Sequence, residues 1–285
     1  MSASGETIPL RLVCVGPQRT GSTWWDRQLR RHPDLALPRH VKETFFFDRH
    51  WERGLADYRA HFPSAAPAWA EVGPTYFDDP LAPGRIVRVA PEVRAVVTLR
   101  DPVQRAVSLW HHHLRKGRVP DDFWRAADAF PSILTAGDYA THLARWEDAV
   151  GRNRVLILRL EDIRTRPQAA MDSLTDFAGL SRLPVSDRAD QRVNTASVPR
   201  FPWLAAWSAR AVTTLRDARL HRIVECGKSL GLARVYRGGS PPPDLSEDDR
   251  ERLATRYAPH IRAVEQRLGR PTGWRRPNGG SREGA

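Results

Sequence analysis

Eight residues near the start of the chain carry the strongest chemical signal. Gly16 to Thr23 reads G-x-x-x-x-G-S-T, the spacing of the nucleotide-triphosphate loop, with Ser22 where that loop has its lysine. The apolar run Leu12-Val13-Cys14-Val15 precedes it and reads as a buried strand closed by Gly-Pro; Ser22-Thr23 opens a helical stretch to His32, stopped by Pro33. Strand, tight polar loop and helix N-terminus in that order make a cradle for a phosphate-like anion. The first-turn N–H groups have no partner in the helix, and the helix dipole favours negative charge there. Without the lysine that reaches the β- and γ-phosphates, ATP or GTP hydrolysis is disfavoured. A nucleotide 5′-phosphate still fits, with Arg19 as the cation from within the loop. The alternative is a glycine-containing turn that binds nothing.

A second group lies at Arg100-Asp101-Pro102 and Ser108. Arg94 to Leu99 is the clearest interior strand, Asp101 suits a helix N-cap and Pro102 the first helical position. Ligands of open parallel sheets bind at the carboxyl ends of the strands. Arg100 at such an end, with Ser108 two turns into the next helix, offers a guanidinium fork and a hydroxyl to a second phosphate. Read alone, the same residues equally describe an Arg–Asp surface pair and a packed helical serine. His111-His112-His113 resembles a metal tract, but consecutive helical residues diverge by about 100°, so three in a row do not share one metal.

These groups need elements to position them. Strands are expected at 68–72, Arg94–Leu99 and 154–160. Helices are expected at 51–62, 84–90, 102–115, 132–149, 167–178, 203–230 and from Ser246 to about Leu268; Ser181 to Pro202 reads as loop. Lys116 to Pro131 reads as a lid or substrate loop. Three phenylalanines, Phe45 to Phe47, anchor the polar residues just before them. Glu71 either orients a substrate or caps the sheet edge, and Trp24 and Trp25 read as packing, with Trp24 able to edge a nucleotide. The alternation predicts an α/β fold of the P-loop type: three layers, a mostly parallel central sheet flanked by helices. One domain is expected over residues 8–272, followed by a flexible tail at 273–285.

The chain has 285 residues, 41% hydrophobic and 27% charged, with a formal net charge of +12. That charge raises the possibility of a nucleic-acid-binding module. However, Lys42, Lys116 and Lys228 are the only lysines and the arginines are scattered, with no basic block interleaved with aromatics. The excess favours phosphorylated or polyanionic ligands more generally. Cys14 and Cys226 are the only cysteines, and Cys14 falls in the expected buried strand, so a reducing, cytoplasmic setting is expected. No secretory signal or run long enough to span a bilayer is visible.

VGPQRTGSTWW followed by VVTLRDPVQRAVSLW resembles the sulfotransferases that use 3′-phosphoadenosine 5′-phosphosulfate (PAPS), most closely the heparan-sulfate type and its bacterial relatives. KETFFFD, EVGPTYF, the Gly137-x-Tyr139-x-x-His142-Leu143-x-x-Trp146 pattern and VLILRLEDI leading to FAGL keep the same order, from about Leu10 to Leu180. The resemblance implies that Arg19, Thr20, Gly21, Ser22 and Thr23 hold the 5′-phosphosulfate, and that Arg100 and Ser108 hold the 3′-phosphate. It places a catalytic base at Glu43, with Arg19 and Lys42 stabilising charge on the leaving oxygen. It also implies that RVNTASVPR closes over the nucleotide, making Asn194 and Arg200 cofactor contacts. Arg19 stands where the family usually has lysine, and Glu71-Val72-Gly73-Pro74 lacks the lysine of E-K-[ST]-P. The implied activity is sulfuryl transfer to a hydroxyl or amine of a small-molecule, natural-product or glycan acceptor, with no metal because the donor has no triphosphate. The rivals are a P-loop kinase or NTPase, against which Ser22 speaks, and the nucleic-acid module.

Overall fold

The computed structural model describes residues 6–63, 68–186 and 242–277. They fall into two compact units. The first comprises the described residues up to Arg100 together with 141–186; the second comprises Asp101–Ala140 together with 242–277.

The first unit is built on a four-stranded sheet of β1 (Leu10–Cys14), β2 (Trp69–Val72), β3 (Arg94–Leu99) and β4 (Val155–Arg159) in the order β2-β1-β3-β4. Every pairing is parallel. The expected α/β fold with a parallel sheet and flanking helices is therefore what the chain forms. Strands alternate faces, so Leu12, Cys14, Ala70, Val72 and Val96 share one side. There they pack with Trp24, Trp25 and Leu29 of α1 (Ser22–Leu29) and with residues of two helices that follow β4. Those helices are α9 (Leu160–Thr165) and α10 (Pro167–Ala178). The buried Trp25 indole donates to Thr98 Oγ1 at 2.7 Å and pins α1 to β3.

The helices of the described residues, in chain order, are α2 (Phe46–Arg49), α3 (Leu55–Arg59), α4 (Ala82–Val89), α5 (Pro102–Leu114), α6 (Phe123–Ala129), α7 (Ser132–Thr135), α8 (Tyr139–Val150), α9, α10 and α11 (Glu247–Leu268). Four expectations change. The helix expected over 51–62 is a 3₁₀ turn and the short α3, separated at Gly54, whose φ of 79° no helix interior accommodates. The polar stretch 116–131 contains a helix, α6, capped by Asp122 accepting from Arg125 N at 2.8 Å. The long helix expected over 132–149 is two, α7 and α8. The break falls at Gly137, where an added Cβ would sit 2.6 Å from the Tyr257 ring. Finally, β4 is half-buried along its length rather than buried, unlike β2 at the opposite end of the strand order.

Within the second unit, α11 buries Leu253, Tyr257, Ile261 and Val264 along one stripe, a spacing of four, four and three. Ser246 caps it as expected, accepting from Asp249 N at 3.1 Å. Asp101 does two jobs while almost fully buried. One carboxylate oxygen accepts from Gln104 N at 2.9 Å as the N-cap of α5, and the other accepts from Arg275 N at 2.8 Å. Replacing Asp101 by Ala removes the cap and leaves two N–H groups in part-buried positions without this acceptor. The expected loss is about 2 kcal/mol, read as a lower urea midpoint at unchanged slope. No helix among the described residues is long and apolar enough to cross a membrane.

Candidate functional site

The chain leaves β1 at its carboxyl end and turns through residues 16–21 into α1. Gly16 lies so close to β3 that a Cβ there would be 2.3 Å from the Thr98 carbonyl oxygen and 2.6 Å from its nitrogen. Only glycine allows that approach. At the other end of the turn, Gly21 has φ 100° and a Cβ would meet Leu160 of α9 at 2.9 Å. Both glycines of the motif are thus required, Gly16 by the backbone of β3 and Gly21 by its own positive φ and by Leu160. Arg19 also adopts a left-handed conformation, φ 78°. Successive reversals of this kind gather backbone N–H groups toward one side, the geometry that receives anions. Thr20 is buried and its hydroxyl donates to Pro17 O at 2.6 Å, so it braces the turn from inside. Arg19 and Ser22 are half-buried and Thr23 is exposed, leaving the mouth of the turn open to a ligand.

Lys42 and Glu43 come to this turn from a different segment. The Lys42 ammonium donates to Ser22 Oγ at 2.8 Å and to Glu43 Oε1 at 2.8 Å. Ser22 occupies the position of the motif's missing lysine, and the structure delivers a lysine to that same residue from twenty positions further along. The resemblance already sets Lys42 beside Arg19 at the leaving oxygen; that its ammonium reaches Ser22 is visible only in the fold.

Arg100 is half-buried at the carboxyl end of β3, next to β1 in the sheet, so it and the Arg19 turn lie at the same end of neighbouring strands. Ser108 is half-buried in the second turn of α5, within the second unit. Trp24 is buried in the core cluster, with its ring edge-on to Trp25 at 4.6 Å between centroids. Asn194 and Arg200, and the loop carrying them, lie outside the described residues, as do Cys226 and the helix expected over 203–230.

Glu71 fits neither role expected of it. It is fully buried, too enclosed to touch a substrate and not exposed at the edge, and it accepts hydrogen bonds from Thr44, Tyr58 and Tyr76. Burial pushes its carboxyl above the ordinary range, opposed by those hydrogen bonds. Cys14 is a free buried thiol whose pKa burial drives upward. Of the histidine tract, His113 is buried against the Phe130 ring at 4.2 Å, and His111 bonds Pro243 O at 2.9 Å. No group of three or more metal-ligating side chains occurs among the described residues.

Comparison with known proteins adds to this geometry. A family model described as the sulfotransferase domain matches residues 9–199. The chain is 31% identical over 198 residues to the human bifunctional heparan sulfate N-deacetylase/N-sulfotransferase 1, covering 60% of this chain and 22% of that enzyme. It therefore spans about a fifth of the length of those bifunctional relatives. It is 29% identical to the mouse heparan sulfate glucosamine 3-O-sulfotransferase 6, over 94% of this chain and 74% of that protein. Among solved structures, a sulfotransferase from Alicyclobacillus acidocaldarius superposes with a TM-score of 0.66 over 93% of this chain and 97% of that one. At 20% identity, this is a likeness of fold.

Proposed function

The chain belongs to the sulfotransferase domain family, and from that premise we propose that it transfers a sulfuryl group from PAPS to a hydroxyl or amine. The observation that carries this reading is the Lys42 bridge: one ammonium bonded to Ser22 at the head of α1 and to the Glu43 carboxylate. It joins an anion-binding turn to a base, the two parts an in-line displacement needs on opposite sides of the transferred group.

The turn suits the donor's 5′-phosphosulfate. Two glycine positions leave no side chain in it, Arg19 and Gly21 reverse the backbone, and the N-terminus of α1 opens behind. In the proposed step the acceptor atom attacks sulfur and its proton passes to Glu43. The bond from sulfur to the 5′-phosphate oxygen breaks, and the electron pair stays on that oxygen. Arg19 and Lys42 offset the charge gathering there. Thr20, Ser22 and Thr23 complete the cradle. Trp24 supports it from the core. Arg100 and Ser108 take the 3′-phosphate, and Asn194 and Arg200 are the further cofactor contacts. The step asks no metal of the chain. A reducing, cytoplasmic setting suits the free thiol of Cys14.

The names of the relatives make a glucosamine-containing glycan the first acceptor to try, beside small phenols and alcohols. Incubation with radiolabelled PAPS and a panel of N-deacetylated heparosan, 4-nitrophenol and a sterol tests transfer directly. Titration with 3′-phosphoadenosine 5′-phosphate (PAP) tests the donor site. Binding is expected without magnesium, and Arg100→Ala is expected to weaken it roughly tenfold to a hundredfold, the worth of a charge-assisted hydrogen bond. Tight binding of magnesium–ATP with none of the bisphosphate would favour the NTPase reading instead.

A further inference from the structure

We propose that Glu71 is a positioning residue: its buried carboxylate holds Glu43 at the donor turn by fixing the next residue, Thr44. This rests on the reading of Glu43 as the base.

The two oxygens of Glu71 face different parts of the protein. Oε1 accepts from Thr44 N at 3.1 Å, Thr44 Oγ1 at 2.5 Å and Tyr76 OH at 2.9 Å. Oε2 accepts from Tyr58 OH of α3 at 2.9 Å. No cation among the described residues pairs with it. The backbone N–H of Thr44 can only donate, and each hydroxyl has one proton to give. All of those protons are spent on the carboxylate, so Thr44 Oγ1 and Tyr76 OH are left to accept, and both receive from Phe46 N, at 3.2 and 3.1 Å. The amides on both sides of Phe45 are thereby tied to one anchor. Phe45 itself sits at φ 53°, an unfavourable conformation for a phenylalanine that surrounding contacts must impose.

The spacing Glu71-x-Gly73-x-x-Tyr76 follows from the same device. Tyr76 N bonds Gly73 O at 3.0 Å, and the turn brings the Tyr76 ring so near Gly73 that a Cβ there would lie 2.2 Å from it. Glycine lets the ring fold back until its hydroxyl reaches Glu71. A sealed carboxylate with no cationic partner is a costly thing to keep in a core. What it acquires here is a fixed backbone position one residue from Glu43, whose own side chain pairs with the Lys42 ammonium.

Four variants separate positioning from simple stability. Tyr58→Phe removes the donor on Oε2 and leaves the Thr44 side intact. Thr44→Val removes a donor on Oε1, Thr44→Ser keeps it, and Glu71→Leu removes the anchor. Each is assayed for PAP binding, for amide hydrogen exchange of residues 42–46, and for kcat and KM with radiolabelled PAPS and N-deacetylated heparosan. Thr44→Val is expected to lower kcat about tenfold and Glu71→Leu about a hundredfold, the scale of a misplacement near 1 Å. In both, exchange at 42–46 rises while PAP affinity and acceptor KM hold. Thr44→Ser restores kcat. Tyr58→Phe lowers the thermal midpoint and leaves kcat alone. If Glu71→Leu does not fold, the Thr44 and Tyr58 variants decide the matter. Equal loss of kcat in Tyr58→Phe and Thr44→Val, or unchanged exchange at 42–46 in Thr44→Val, overturns the proposal. Glu43→Gln in the same assay keeps the two ideas apart: full activity there refutes the base assignment, whatever the exchange shows about the anchor.

Discussion

Glu43→Gln is expected to cut sulfuryl transfer by about 10²–10⁴-fold, the usual contribution of a general base, with PAP affinity unchanged. Gln is nearly isosteric and its carbonyl can still accept from the Lys42 ammonium, so the link to Ser22 at 2.8 Å should persist. What it cannot do is take the acceptor's proton. The loss should therefore appear in kcat rather than in donor binding, and it should not be rescued by raising pH through the carboxylate range. Lys42→Met gives the contrasting pattern. It removes a charge that serves both the donor turn and Glu43, so kcat and donor affinity fall together. Wild-type turnover in Glu43→Gln would move the base elsewhere, and the half-buried carboxylate at 43 would then be only the partner of Lys42.

Gly16→Ala is expected to destabilise the protein by about 3 kcal/mol or more and to abolish PAP binding in whatever remains folded. The clash is between two backbones: the new methyl would stand 2.3 Å from the Thr98 oxygen. Thr98 cannot step aside, because it belongs to β3, pairs with Leu158 of β4 and receives the Trp25 indole on its hydroxyl. β1 and β3 must separate instead, and that displaces the turn carrying Arg19 from the strand end carrying Arg100. Chemical denaturation and PAP titration on one preparation measure both effects. Gly84→Ala is the control. Gly84 lies inside α4 with open space around it, so alanine there should stabilise slightly, by about 0.5–1 kcal/mol.

Local rules worked where a residue's neighbours in sequence are also its partners in space. Asp101-Pro102 starts a helix because the cap and the first turn are consecutive. Ser246 does the same for α11, and Gly179, at φ 60°, ends α10 where an αL residue is needed. The rules failed where a distant group decided the outcome. Nothing within 132–149 says that Tyr257 will occupy the space beside Gly137 and divide the helix. Asp122 did carry a cap signal for α6, but the polar composition around it read as loop.

The site divides along the same line. Strand, glycine turn and helix N-terminus are contiguous, so the sequence alone determined that a strand–turn–helix lies at 16–23, with Arg19 inside the turn, and that a parallel α/β sheet carries it. The tertiary structure decided what surrounds that turn. It placed the Lys42 ammonium on Ser22, set Leu160 against Gly21 and sealed Glu71 beneath Thr44. Each of these depends on a contact between segments twenty to well over a hundred residues apart. Spacing along the chain cannot encode such a contact, because strand order and burial fix it only when the sheet is assembled.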